Sequence, residues 1–128
     1  MNLLLDTVTF LWLTGLPAKL SQHAKDLCQT PTNALFLSAV SAWEIEMKYR
    51  RGQLYLAHDP QVFIPTQRAA HGIAELPFDE AAALHYSTLA DIHRDPFDRM
   101  LICQALAHGL TLVTPDKNIR AYAVATIW

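Results

Sequence analysis

Short apolar runs alternate with amphipathic stretches along the whole chain, and this alternation predicts a parallel β-sheet sandwiched between helices. The apolar runs predict strands at residues 3–5, 35–37, 73–76, 110–113 and 124–127. The third of these runs is weaker than the others. The expected fold class is therefore α/β, with a central, mostly parallel sheet of four to five strands.

Helical patterns fill the segments between these runs, and capping residues predict several helix ends. The predicted helices run through residues 10–13, 24–28, 43–48, 82–86 and 98–108, with a further one entered between Pro60 and Pro65 and ended by Gly72. Ser21 and Asp79 are suited to the N-cap position. Pro96 suits the first turn of the last long helix, and Gly109 suits its C′ position.

Four acidic residues fall where predicted elements end or begin. Asp6 directly follows the first strand, and Asp116 follows the fourth strand within the segment 112–116. Asp98 opens a helix, and Glu44 lies about one turn into the helix that follows the second strand. Because strand ends and the next helix starts share one edge of a parallel sheet, these acids can converge on a single cleft.

A cluster of four carboxylates favours a divalent cation. Like charges at short range repel one another, and without a cation some of the carboxylates would become protonated. Mg²⁺ prefers oxygen ligands and keeps several waters, so it needs only one or two direct carboxylates. Such an ion lowers the pKa of an attacking water and neutralises developing charge, which suits phosphodiester hydrolysis.

Each acid also has a simpler structural explanation. An Asp that follows a strand is often a turn former or a helix N-cap, and Asp98 can cap its own helix. Glu44 can pair with Lys48 four residues further on, in a helix begun by Ser38 or Ser41. The joint pattern favours the metal site, because the strand endings 3–6 and 112–116 repeat one design.

Composition narrows the classes of partner and location. The 128 residues, 52% of them hydrophobic, fit a single packed domain over 1–128. Ten Lys and Arg against twelve Asp and Glu argue against nucleic-acid binding by bulk positive charge, so any such role needs a local basic rim. The N-terminus resembles no signal peptide and no apolar run could cross a membrane, so we expect a cytoplasmic protein with no membrane partner.

The remaining candidate ligands are assigned structural roles. Cys28 and Cys103 are far apart and favour neither a zinc site nor a disulfide framework. None of the six histidines has a metal-binding spacing, so none is assigned to a metal. Trp12 and Trp43 have apolar neighbours and are expected to pack in the core.

Four segments together resemble the PIN domain family. They are residues 1–7 (MNLLLDT), 38–45 (SAVSAWEI), 93–99 (HRDPFDR) and 112–116 (LVTPD). They look most like the bacterial toxin ribonucleases of the VapC kind, including the branch marked by HRDPFDR. The resemblance covers essentially the full length, with the motifs in the family's order.

The resemblance implies a three-layer α/β/α sandwich and a Mg²⁺-dependent endoribonuclease, with Mn²⁺ as an alternative ion. It implies the toxin of a type II toxin–antitoxin pair, with RNA as substrate, a small antitoxin as partner and a homodimer as the assembly. The implied acidic quartet is Asp6, Glu44, Asp98 and Asp116. Thr114 matches the family's hydroxyl position, while Pro115 departs from a usually small residue and is expected only to stiffen the turn.

Neighbouring polar residues are secondary candidates. Asp95 lies within reach of the same cleft, although the N-cap position before Pro96 suits it better. The basic residues that flank the acids could receive RNA phosphates, or could serve only as surface charges. They are Arg94, Arg99, Lys117 and Arg120.

Two other functions fit less well. Asp6 with Thr7 loosely resembles the first motif of haloacid dehalogenase-type phosphatases, but that chemistry needs a second Asp where this chain has Val8. The alternative from another class is a catalytically silent PIN-like module that binds RNA or protein. The four intact acids argue against it.

Overall fold

The computed structural model describes residues 1–128. The strands are β1 (Asn2–Leu5), β2 (Ala34–Ser38), β3 (Ile73–Leu76), β4 (Thr111–Val113) and β5 (Thr126–Ile127). The helices are α1 (Thr7–Gly15), α2 (Gln22–Gln29), α3 (Ala39–Arg50), α4 (Pro60–His71), α5 (Glu80–Ala83), α6 (Pro96–His108) and α7 (Lys117–Arg120). Short 3₁₀ turns lie at Pro17–Lys19 and Tyr86–Thr88.

The five strands form one sheet in the order β3-β2-β1-β4-β5, and every neighbouring pair is parallel. β1 occupies the centre, where Leu3 pairs with Leu35 of β2 on one side and with Thr111 of β4 on the other. A central strand covered on both faces must be apolar throughout, which explains the Leu-Leu-Leu run.

Side chains of β1 point alternately into two cores, one on each face of the sheet. Leu3 and Leu5 belong to the core formed with α1 to α4, through residues such as Phe10 and Ile45. Leu4 belongs to the opposite core, formed mainly with α6 and α7. The three-layer α/β/α fold class predicted from the sequence is therefore confirmed.

Most predicted helix ends are confirmed by their caps. The side chain of Ser21 accepts the amide of Ala24 at the start of α2. Asp79 caps α5 in the same way. Of the two alternatives for α3, Ser38 is the N-cap. Gly109 ends α6 in the left-handed conformation with φ 63°, which glycine adopts without steric cost.

The differences from prediction are local. α6 begins at Pro96, so Asp98 lies inside its first turn instead of opening the helix. Pro65 lies inside α4, because the Asp59 cap and Pro60 alone define that entry. The short helices α5 and α7 each begin at a single Asp cap. The helix that corresponds to α5 was predicted too long, and α7 was missed. No helix is long and apolar enough to cross a membrane.

Candidate active site

Asp6 is fixed at the end of the central strand by two hydrogen bonds. Its Oδ1 accepts the backbone N–H of Thr9 at 2.8 Å and thereby caps α1. Its Oδ2 accepts the hydroxyl of Thr114 at 2.5 Å. Burial raises the pKa of Asp6 even though these bonds favour the ionised form. A buried carboxylate held this firmly can present its charge in only one direction.

Thr114 joins two of the predicted acids. While its hydroxyl donates to Asp6, its oxygen accepts the backbone N–H of Asp116 at 3.0 Å. Asp116 in turn caps α7 by accepting the amide of Asn118 at 2.8 Å. The buried hydroxyl therefore links the end of β1 to the loop after β4.

Glu44 projects from α3 with its two oxygens in different environments. The residue is only 5% exposed. Oε2 accepts a hydrogen bond from the Lys48 ammonium at 2.7 Å, whereas Oε1 is buried without a hydrogen-bond partner. The Thr7 hydroxyl donates a hydrogen bond of 2.9 Å to the Ser41 hydroxyl and so connects α1 to α3. A buried carboxylate oxygen without a partner is costly, and a bound cation or its water would satisfy it.

Asp98 faces the same cleft from the first turn of α6. Burial raises its pKa to about 6, although a hydrogen bond with His93 opposes the shift. His93 Nε2 lies 2.8 Å from Asp98 Oδ2. One ligand atom from each of His93, Asp98 and Asp116 lies within 4.8 Å of the others, a spacing that could hold a metal ion.

A network around Tyr122 holds the backbone of His93 in place. The Tyr122 hydroxyl accepts the His93 amide at 2.9 Å and also contacts the His93 carbonyl oxygen at 3.3 Å. The guanidinium of Arg99 donates to that hydroxyl at 3.0 Å, to the carbonyl oxygen of Ala90 and to that of Tyr86. The loop before α6 is therefore anchored to α6 and to the segment after α7.

The acids meet in one cleft of about 330 Å³. Its lining includes all four predicted acids, together with Asp95 and a single cation, Lys48. Asp95 accepts a hydrogen bond from the amide of Phe97 at 2.9 Å as the N-cap of α6, which confirms its capping role, while its part in the site stays a prediction. The convergence expected from the sequence is therefore present in the structure.

The basic residues expected to flank the acids lie outside the cleft lining. Arg94, Lys117 and Arg120 are exposed, and their contact with RNA stays a prediction. Arg99 has a different setting, because its guanidinium is bound to carbonyl oxygens of the chain and stacks 4.9 Å from the Tyr86 ring. That setting favours a structural role for Arg99.

One core prediction was wrong and one was right. Trp12 packs against the core, and its ring contacts that of Trp128 in a tilted arrangement with 5.9 Å between centroids. Trp43 is 59% exposed and contacts the edge of Phe97 at 5.3 Å between ring centroids. Its apolar sequence neighbours misled the prediction, because successive helix residues point in directions about 100° apart.

Two residues of the cleft region were missed from the sequence as members of the site. His93 has no metal-binding spacing to any other histidine, and only the path of its loop brings it to Asp98. Lys48 is recognisable as an ion-pair partner of Glu44, but not as part of the cleft wall. The HRDPFDR segment was the available indication for His93.

The donor set fits a hard divalent cation. Asp6, Asp98, Asp116 and Glu44 supply carboxylate oxygens, the ligands that Mg²⁺ and Mn²⁺ accept. The unpartnered Glu44 Oε1 is an independent sign that the cleft is built for a positively charged or hydrogen-donating occupant. Asp98 and Asp116, with His93, have the spacing for a metal ion, and Asp6 and Glu44 line the same cleft, where they could hold its waters.

The family follows from the sequence match. The family model described as the PIN domain matches residues 3–125. This chain belongs to the PIN domain family. The assignment places the acidic cleft within the matched PIN region, since every residue that lines it falls inside that range.

Individual relatives agree with the PIN assignment. The chain is 26% identical to ribonuclease VapC22 of Mycobacterium tuberculosis, over 99% of this chain and 98% of that protein. VapBC2 from Rickettsia felis, solved with a promoter DNA fragment, aligns with a TM-score of 0.75 at 14% identity, covering 99% and 98% of the two chains. VapBC-1 from nontypeable Haemophilus influenzae aligns with a TM-score of 0.67 at 19% identity, covering 99% and 97%. At such low identities, the two structural matches show a shared fold and no more.

Proposed function

We propose that this PIN domain protein is a metal-dependent endoribonuclease and the toxin of a type II toxin–antitoxin pair. The observation that carries the proposal is the convergence of Asp6, Glu44, Asp98 and Asp116 in one cleft. These acids come from four separate parts of the chain, and simple helix capping does not explain why all four face one space. Glu44 caps no helix at all.

The residues divide into those that fix a position and those that offer charge. Thr114 and the Thr9 amide fix Asp6, and Lys48 fixes one oxygen of Glu44. Asp98 and Asp116 face the same space. When bound there, Mg²⁺ or Mn²⁺ supplies charge neutralisation and a lowered pKa for coordinated water. No side chain in the cleft is needed as a covalent nucleophile.

Similarity to named proteins supports the biological part of the proposal. One relative is named a ribonuclease, and structural neighbours include VapBC complexes and a toxin–antitoxin complex from Klebsiella pneumoniae. By analogy, we propose RNA as the substrate and a small antitoxin, encoded next to this protein, as the partner. We also propose a homodimer and a cytoplasmic location.

The decisive experiment is metal-dependent cleavage of RNA by the purified chain. We expect Mg²⁺ to support cleavage, EDTA to abolish it and Asp6→Asn to remove it. Asp26→Asn is the matched control, because Asp26 is an exposed acid on α2 outside the cleft. Binding of RNA without cleavage would instead support the silent-module alternative and overturn the enzyme assignment.

The chemistry of the cut ends tests the mechanism separately. Hydrolysis by a metal-activated water leaves a 5′-phosphate and a 3′-hydroxyl, which labelling of the cleaved ends can detect. A 2′,3′-cyclic phosphate would show that the RNA 2′-hydroxyl attacks instead, and would refute hydrolysis by water.

The RNA contacts are open to a similar test. Single substitutions of Arg94, Lys117 and Arg120 by Gln are expected to raise KM and to reduce the salt dependence of RNA binding. Arg51→Gln is a control on an exposed arginine at the end of α3. Equal behaviour of all four variants would show that the three basic residues are ordinary surface charges.

A further inference from the structure

Lys48 places a positive charge inside a cleft whose other charged lining residues are acidic. Its ammonium nitrogen lies 2.7 Å from Glu44 Oε2, and its side chain is 44% exposed. Five carboxylates line the same cleft. The proposed metal site therefore already contains one positive charge, which the Lys48 side chain supplies.

The helix supplies this arrangement and also a control for it. Glu44–Lys48 is an i,i+4 pair on α3, with the acid on the favoured N-terminal side. Glu46–Arg50, one half-turn further along, has the same spacing and a distance of 2.6 Å. Both partners of the second pair are exposed and lie outside the cleft lining. Only the first pair therefore combines ordinary helix stabilisation with a place in the acidic site.

The ion pair gives the two carboxylate oxygens of Glu44 different environments. Lys48 occupies Oε2, while Oε1 remains buried without a partner. The hydrogen bond that Lys48 donates to Glu44, with further attraction from Asp95 and Asp98, raises the pKa of Lys48. A lysine ammonium is charged throughout the neutral range even at its ordinary pKa.

We infer that Lys48 is a resident counter-ion of the cleft, which weakens binding of the divalent cation and leaves Glu44 one free oxygen for that cation or its waters. The inference rests on the proposed metal site. Lys48 compensates part of the carboxylate charge when no metal is bound, and it repels the metal when one enters. It is a positioning residue for Glu44, since it acts through that carboxylate.

Repulsion of the metal by Lys48 and orientation of Glu44 by Lys48 change metal affinity in opposite directions. A measurement of metal affinity therefore distinguishes them. Removal of a unit positive charge from a partly buried acidic site strengthens binding of another cation, because the electrostatic attraction is less compensated. A residue that served only to orient Glu44 for the metal would weaken metal binding on removal. A residue that served only to stabilise α3 would leave metal affinity unchanged.

The test is calorimetric titration of the full chain with Mg²⁺ and, separately, Mn²⁺, in the absence of RNA. We expect Lys48→Met to bind either ion about tenfold more tightly or better, from the lost repulsion. Lys48→Arg keeps the charge and should keep the affinity of the wild type. Arg50→Met removes the Glu46 pair, together with the second pair that Arg50 makes with Asp59 outside the cleft, and should also leave the affinity unchanged.

A second readout follows the folded state directly. Without metal, Lys48→Met is expected to melt at a lower temperature than the wild type, because Glu44 loses its counter-ion. Added Mg²⁺ should then raise its melting temperature by more than that of the wild type. If Lys48→Met does not fold, Lys48→Gln provides the same comparison, because its neutral amide can still contact Glu44.

Unchanged or weakened metal binding in Lys48→Met would overturn the inference. Equal shifts in Lys48→Met and Arg50→Met would do the same, since they would indicate a general charge effect. Failure of the wild type to cut RNA while it still binds metal would refute the proposed nuclease alone. Failure to bind either ion in both the wild type and Lys48→Met would refute both.

Discussion

Two walls of the acidic cleft, apart from the α3 side that carries Glu44 and Lys48, are held in different ways. The sheet wall, which comprises Asp6, Thr114 and Asp116, is fixed at the ends of β1 and β4 by hydrogen bonds between neighbouring strand ends. The loop wall, which comprises His93 and Asp98, depends on a loop whose backbone is bound to Tyr122 and Arg99. One wall follows from the sheet, and the other needs a network of side chains.

Because of this difference, changes in the two regions should affect different properties, either the charge in the cleft or the rigidity of one side of it. A change in the sheet wall removes charge from the cleft or from the group that orients that charge. A change in the network behind the loop wall leaves all four acids in place and alters only how firmly one side is held. The two kinds of change should therefore differ in the size of their effect and in where the protein becomes mobile.

Asp6→Asn should have the largest effect on activity and little effect on folding. Loss of the central carboxylate is expected to lower the rate of RNA cleavage by about 10²–10³-fold or more, as for removal of a main electrostatic group. The Asn Oδ1 can still accept a hydrogen bond from the Thr9 amide, whereas Nδ2 cannot accept the Thr114 hydroxyl. Loss of this bond is offset by removal of a buried charge, so thermal stability without metal should stay close to that of the wild type. A variant with normal cleavage would exclude Asp6 from the site.

Thr114→Val should come next, because it breaks the link within the sheet wall. Asp6 Oδ2 and the Asp116 amide both lose their partner, which is expected to cost about 1–3 kcal/mol in the free energy of unfolding. Denaturant unfolding measures this loss. Thr114→Ser keeps the hydroxyl and is the control, and an equal loss in both variants would point to the methyl group instead.

Tyr122→Phe should loosen the loop wall alone. The His93 amide and the Arg99 guanidinium both lose the hydroxyl, so cleavage is expected to fall by about 5–10-fold, equivalent to roughly one hydrogen bond. Amide hydrogen exchange should become faster in residues 86–95 and stay unchanged in residues 6–16. Faster exchange in both segments would mean that the two walls are not supported independently.

A separate effect, on stability and not on cleavage, is expected in the pH dependence of stability. The pKa of Asp98 is about 6 in the folded protein, against an ordinary value of 3.8. Between these values the folded protein binds more protons than the unfolded one, so this group's contribution to stability is lost as the pH rises to about 6. Without metal, the wild type should lose stability relative to Asp98→Asn over that interval.

Melting temperatures of both proteins from pH 4 to pH 7.5, measured in EDTA, test this directly. Asp6 also has a raised pKa, but it is present in both proteins and cancels in the difference. A constant difference across the interval would contradict the assigned shift of Asp98.

Much of the sheet wall could be predicted from the sequence, because its residues follow strands directly. Apolar runs identify β1 and β4, and parallel pairing then brings Asp6 and Asp116 to one edge. The side-chain link through Thr114 was suggested by family resemblance and not by the pattern itself. The metal role of these acids is still a proposal.

The loop wall could not be predicted in the same way. No periodic pattern indicates where the residues between Leu84 and Asp95 run, so the contact of His93 with Asp98 was invisible. Arg99 was a candidate for RNA contact or for an ordinary surface charge from its position beside Asp98, but adjacent helix residues point in different directions. The same geometry explains the wrong prediction that Trp43 is buried.

The hydroxyl of Thr114 has a further consequence because of its distance from Asp6 along the chain. The two residues are 108 positions apart, and the Thr9 hydroxyl similarly contacts the carbonyl oxygen of Val113 across 104 positions. During synthesis, the N-terminal partner of each contact emerges from the ribosome long before the C-terminal one. The cleft is therefore assembled only after the chain has been synthesised as far as Asp116, and a growing chain cannot display its four acids together before that time.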